Sequence, residues 1–139
     1  MTNSFAQVRA LLQQMVALLN ADDYAGLANY YDFPFMMEME DTAVLFNRPD
    51  EAMAAWANFR SVMRQLGIHS SDIRVVAVEL PRMARQRVWI EFMHFDIHGQ
   101  KLRSADLTLY FRLRPQKMTL VMQHVTRQSV SPHWAITGP

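Results

Sequence analysis

Cysteine is absent from the 139 residues, which excludes disulfides, thiolate metal centres and a cysteine nucleophile. A reducing compartment suits such a chain, and the cytoplasm is the expected location. Charge of one sign is lacking too: 14 basic against 13 acidic residues leave a net +1, without the positive footprint of a nucleic-acid binder. No apolar run approaches the roughly 20 residues that a membrane span requires. Near the start, Gln13 and Gln14 interrupt what would have to be the apolar stretch of an export signal. No internal repeat or linker breaks the chain.

The residues present are largely apolar: 50% are hydrophobic and 19% charged, the balance of a globular, soluble protein. A chain of this length fits one domain, which buries about two-thirds of its unfolded surface. Residues 1–127 carry the periodic pattern, and 128–139, with two prolines and Trp134, read as an irregular tail.

Ser4 and Gln7 have capping-box spacing, and Phe5, Val8, Leu12, Met15, Val16 and Leu19 recur at helical intervals, predicting a helix to Asn20. A second, short helix is expected from the Asp22-Asp23 pair, carrying Leu27, Tyr30 and Tyr31 before Pro34 ends it. Residues 35–40 and 42–46 suggest a short hairpin. Asn47-Arg-Pro-Asp-Glu51 starts a third helix with proline and acids in its first turn, and Gly67 stops it. From Asp72 the apolar period changes to two, predicting strands over about 73–80, 87–97, 102–113 and 118–127.

Taking both connecting turns as two-residue loops sets a register in which His94 and Thr126 flank Ala105. Val88, Ile90, Phe92 and His94 then share a face with Leu107, Leu109, Phe111, Leu120, Met122 and His124. Trp89, Met93, Tyr110 and Val121 fall on the opposite face, among polar groups. That mixture is typical of a subunit interface, so a homodimer through the outer face is expected. Three helices against one face of a long, twisting, mainly antiparallel sheet make a cone-shaped half-barrel of the α+β class.

The element order, with Ala-Asp-Leu-Thr-Leu-Tyr-Phe-Arg-Leu-Arg (105–114) leading into Met-Thr-Leu-Val-Met-Gln-His-Val-Thr (118–126), resembles the nuclear transport factor 2 superfamily. That superfamily includes SnoaL-like polyketide cyclases and the association domain of calmodulin-dependent kinase. Its closing hairpin typically runs from tryptophan through alternating aliphatics to histidine, any residue and serine. Here Met118 and Thr126 replace the tryptophan and the serine. The resemblance implies a cavity between helices and sheet, frequent dimers through the outer face, and functions ranging from isomerases and dehydratases to non-catalytic binding modules.

The candidate chemistry centres on three residues. His94 and His124, about 12 Å apart at Cα in the expected register, would flank one small ligand above Ala105, and imidazoles titrate near neutrality. Asp32 stands where enzymes of this fold often place an acidic group; buried, it would act as general base, with Tyr30 and Tyr31 stabilising an enolate. Trp56, Phe92, Leu107, Met122 and Thr126 complete the expected ligand walls. Each histidine has a simpler alternative as a satisfied side chain ending a core row, and Asp32 as a turn cap. His94 and His98 are too far apart along a strand to share an ion, so neither metal nor cofactor is expected, and Arg103 is the expected partner of Asp96. Arg82, Arg85, Arg87, Arg112, Arg114 and Lys117 gather at one end of the sheet as a basic rim. Three functions remain open: binding of a small apolar molecule, acid–base catalysis by an isomerase, dehydratase or cyclase, and structural oligomerisation.

Overall fold

A computed structural model describes residues 4–128; the expected tail beyond Gln128 lies outside them. Helix α1 (Phe5–Asn20) opens on the anticipated capping box, with Ser4 Oγ accepting the Gln7 N–H at 3.2 Å and Gln7 Oε1 accepting the Ser4 N–H at 2.8 Å. It buries Val8, Leu12, Met15 and Leu19 along one stripe. Helix α2 (Tyr24–Ala28) is capped by Asp23, whose Oδ1 accepts the Gly26 N–H at 2.9 Å. It is shorter than expected, and Tyr31 already begins β1 (Tyr31–Glu38). Sheet pairing wins here: the Tyr30 carbonyl accepts the Leu120 N–H at 2.8 Å, and the aromatic run after it favours extended backbone. Pro34 is accommodated where the strand's register shifts between Tyr31 and Met36, a place that demands no N–H from it.

Strand β2 (Ala43–Phe46) closes the hairpin with β1, and α3 (Pro49–Gln65) starts with Pro49, Asp50 and Glu51 in its first turn. Gly67, at φ +83°, takes the chain out of α3 through a left-handed turn. Strands β3 (Ser70–Val78), β4 (Arg85–Phe95), β5 (Lys101–Arg114) and β6 (Lys117–Gln128) form the long meander. The six strands lie in the order β2-β1-β6-β5-β4-β3, antiparallel except for the parallel β1–β6 pair. The helices pack on one face of this curved, open sheet, an α+β cone. Among the described residues no helix is long and apolar enough to cross a membrane.

Register departs from expectation twice. Between β4 and β5, Phe92 rather than His94 faces Ala105 across the strands, because the connection is longer than two residues. Asp96 organises that turn, accepting the His98 and Gln100 N–H groups at 2.9 Å each, and the residue opposite Arg103 is His94 rather than Asp96. A slip of two residues preserves every facing. Between β5 and β6 the turn is as expected, Arg114 opposite Lys117, but Leu120 pairs with Phe111 and Met122 with Tyr110, leaving Val121 without a cross-strand partner. This β-bulge reverses the facing of β6 from Met122 to Val125, with Gln123 and Val125 turned inward and Met122 and His124 outward, and a second irregularity at Thr126 ends the reversal.

Candidate functional site: an apolar cavity between helices and sheet

Between the concave sheet face and the helices lies a cavity of about 160 Å³. Ile90 and Phe92 of β4, Ala105, Leu107 and Leu109 of β5, and Leu120 and Val125 of β6 form its floor; Met15 and Leu19 of α1 and Trp56, Phe59 and Met63 of α3 form its roof. Polar side chains on the wall are few: Tyr31, His94, Ser104 and Gln123.

Of the residues singled out from the sequence, Tyr31, Trp56, Phe92, His94, Ala105 and Leu107 come together around this cavity. Tyr31 packs edge-on to Phe35 and against Trp56, each at 4.8 Å between ring centroids, and burial pushes its phenol well above the ordinary range. Tyr30 is elsewhere, in a shallower concavity between α1, α2 and the β5–β6 turn, where its hydroxyl donates to Gln14 Oε1 at 3.1 Å.

Four expectations need correcting. Asp32 does not line the cavity; it pairs with Arg114 at 2.7 Å and Arg112 at 3.4 Å, because β1 lies against β6 and brings it to the basic rim. His124 stands on the outer face, 3.8 Å from Glu38 Oε1, because of the Val121 bulge. Met122 is turned outward by the same bulge. Thr126 is exposed, an unpaired residue between the Val125–Leu107 and Arg127–Asp106 pairs, and its hydroxyl donates to the Asp106 carbonyl at 3.1 Å. The rim is paired in part, with Arg112 and Arg114 sharing Asp32 and Arg87 on Glu79 at 3.1 Å.

The remaining histidine belongs to a buried network. His94 is 4% exposed, with Nδ1 2.7 Å from Ser71 Oγ and its ring against Phe92 and Phe59 at 4.5 and 5.7 Å. Ser71 is held in turn by Asn20, whose Nδ2 donates to the Ser71 carbonyl at 2.8 Å and whose Oδ1 accepts the Ser71 N–H at 2.9 Å. Arg60, also buried, donates to the Asn20 carbonyl at 3.4 Å and to Asp22 Oδ1 at 3.2 Å. Burial, assisted by the positive charges of Arg60 and Arg103, lowers the His94 pKa to about 4, so the ring is neutral at pH 7. Burial alone would raise the Asp22 carboxyl, but hydrogen bonds from Arg64, Tyr24 and Arg60 hold it below the usual carboxylate range.

Ser71 and Arg60 are not among the residues that the sequence singles out, although both leave a trace in it. Ser71 opens the row Ser71, Ile73, Val75 on one strand face, and Arg60 falls four residues after Trp56 and three before Met63, on the apolar stripe of α3.

No protein-family profile and no curated protein matches the chain. Solved structures do. A nuclear transport factor 2-like protein with a cystatin-like fold from Novosphingobium aromaticivorans superposes with TM-score 0.70 at 12% identity, over 91% of this chain and 82% of that one. A nuclear transport factor 2-like protein of unknown function from Shewanella oneidensis MR-1 gives 0.66 at 15%, over 85% and 94%. The calcium/calmodulin-dependent protein kinase II association domain described from Xanthomonas campestris gives 0.62 at 16%, over 92% and 91%. At these identities the likeness is one of fold, and the fold of this chain is the nuclear transport factor 2-like cone.

Proposed function

We propose that the protein binds a small, largely apolar molecule in its cone cavity and does so as a homodimer. One observation carries the binding reading: the cavity of about 160 Å³ is apolar on nearly every side, with Tyr31, His94, Ser104 and Gln123 as the few polar side chains on its wall. A cavity of about 150 Å³ lined by aliphatic and aromatic side chains is known to admit benzene, so the scale is that of a single ring. Space left unfilled in an otherwise packed core argues against a purely structural oligomerisation domain. The isomerase, dehydratase or cyclase alternative needs an acid and a base within reach of one substrate. Asp32 and His124 lie outside the cavity, which leaves His94 without either expected catalytic partner.

The dimer reading rests on the outer face. Trp89, Met93, Tyr110 and Val121 are half-buried there, Arg87 stacks over Trp89 at 4.9 Å, and the bulge adds Met122 beside Tyr110. Binding is tested by titrating toluene into wild type and Ala105→Leu under NMR observation, with circular dichroism as the check on folding. Saturable shifts at Phe92 and Leu107 that vanish in the folded variant are the expected result. Absence of shifts in wild type would sink the reading.

A further inference from the structure

Two hairpin turns lie side by side at one end of the sheet, joined by the Leu113 N–H donating to the Ala84 carbonyl at 2.8 Å. One is the turn between β3 and β4, closed by backbone hydrogen bonds between Arg82 and Arg85 at 2.8 and 2.9 Å. The other, from Arg114 to Lys117, joins β5 to β6. Cations oppose cations here: Arg82 faces Arg85, Arg85 faces Arg112, and Arg114 faces Lys117. Like charges placed directly opposite each other destabilise a sheet. Asp32 is shared by Arg112 and Arg114, whereas Arg82, Arg85 and Lys117, all exposed, take part in no ion pair among the described residues. With Arg87, this end gathers six of the chain's 14 basic residues. Such a concentration is unfavourable in isolation and favourable beside an extended anionic surface.

The same end carries exposed apolar side chains. Met83, between Arg82 and Arg85, is 96% exposed, and Leu80, three residues before it, 78%. Met83 and Ala84 have φ +51° and +61°, a left-handed backbone that Asn-Gly adopts with less strain in a two-residue hairpin turn, yet the tip holds a large apolar side chain. Two projecting side chains are far short of the roughly 800 Å² per partner of a stable protein interface. Neither turn carries an aromatic residue on which a nucleic-acid base would stack. Apolar side chains projecting among cations suit a bilayer, where they enter the acyl boundary while the cations stay level with anionic headgroups.

We propose that this end of the sheet docks the protein on an anionic lipid surface, with Leu80 and Met83 inserting between headgroups and Arg82, Arg85, Arg114 and Lys117 lying against their phosphates. The two signals act together, because a small apolar tip holds weakly and a basic patch alone is screened by salt. None of these residues lines the cavity, so docking stands apart from ligand binding there.

Co-sedimentation of the full chain with vesicles tests this, using phosphatidylcholine alone and an equal mixture with phosphatidylglycerol. Wild type is expected to bind the mixed vesicles at least about tenfold more tightly than the neutral ones, more than the roughly fivefold that a single cation contributes beside an anionic surface. The combined variant Leu80→Ser, Met83→Ser changes no charge and is expected to lose at least about fivefold in affinity. Arg82→Gln with Arg85→Gln is expected to lose at least about tenfold. Lys101→Gln, at the opposite end of β5, should change binding by less than about twofold. Circular dichroism checks that these surface variants are folded. Absence of wild-type binding to mixed vesicles, or equal binding to both kinds, overturns the proposal. So does unchanged affinity after loss of Leu80 and Met83, or a loss in Lys101→Gln as large as in the arginine variant. Equally tight binding of a soluble oligothymidylate also overturns it, marking a site for polyanions in general.

Discussion

Ser71 and His94 face each other across β3 and β4, with Oγ and Nδ1 2.7 Å apart, and the buried imidazole is thereby fixed in the cavity wall as a neutral ring. The pair joins the first strand after α3 to the pocket floor, and Asn20 ties it back to the end of α1.

The neutrality of His94 has a pH signature. Its folded pKa, about 4, lies below the roughly 6.5 of an exposed histidine, so the unfolded chain takes up a proton first as pH falls. Stability from this group is complete above about pH 6.5 and is lost progressively down to about pH 4, by up to about 3 kcal/mol. Denaturant midpoints at pH 7 and pH 4.5 should therefore differ more for wild type than for His94→Gln. Parallel pH slopes in the two proteins would refute the assignment.

Asp22 is the carboxylate that pairs with buried Arg60, and it also holds the half-exposed Arg64. Asp22→Ala should cost about 2 kcal/mol, between the scales of exposed and fully buried pairs, because it strands a guanidinium that water does not reach. Arg64→Ala should cost less than about 1 kcal/mol. Urea unfolding measures both, and reversal of that order would show that Arg60 is stabilised by something other than Asp22.

The bulge at Val121 separates neighbours by function. Gln123→Leu should alter toluene affinity, because Gln123 lines the cavity, with Nε2 3.4 Å from Met37 Sδ. His124→Ala and Asp32→Asn should leave it within about twofold, the scatter expected of surface changes away from the site. A large effect of either on binding would place that residue's influence inside the pocket after all.

For the dimer, Trp89→Glu and Tyr110→Glu each set a charge in the middle of the proposed contact. Sedimentation at micromolar concentration should show dimeric wild type and monomeric variants. A monomeric wild type would end the proposal.

Much of this architecture is legible in the sequence because it is local. The Ser4 and Gln7 box, the Pro49 helix start and the change of period near Asp72 each depend on a few adjacent residues. Pairing over long separations is not. Nothing near Tyr31 announces that it will lie beside Leu120, so its stretch reads as the end of a helix until β6 is placed next to it. The bulge is hidden for a related reason: Met118, Leu120 and Met122 read as one row two residues apart, and that spacing does not reveal that Val121 steps out of register. Asp32 and His124 left the candidate site through those two relationships. His94 stayed because a slip of two residues does not change a face.

Val121 makes the register of β6 a variable that acts on two surfaces at once. Pairing Val121 regularly, at unchanged strand length, would restore plain alternation, trading Gln123 and Val125 at the pocket for Met122 and His124 and handing the displaced pair to the outer face. Substitutions can adjust the pocket and the outer face independently. Gain or loss of the bulge cannot, so relatives in which this strand alternates without it should differ in ligand preference and in self-association together.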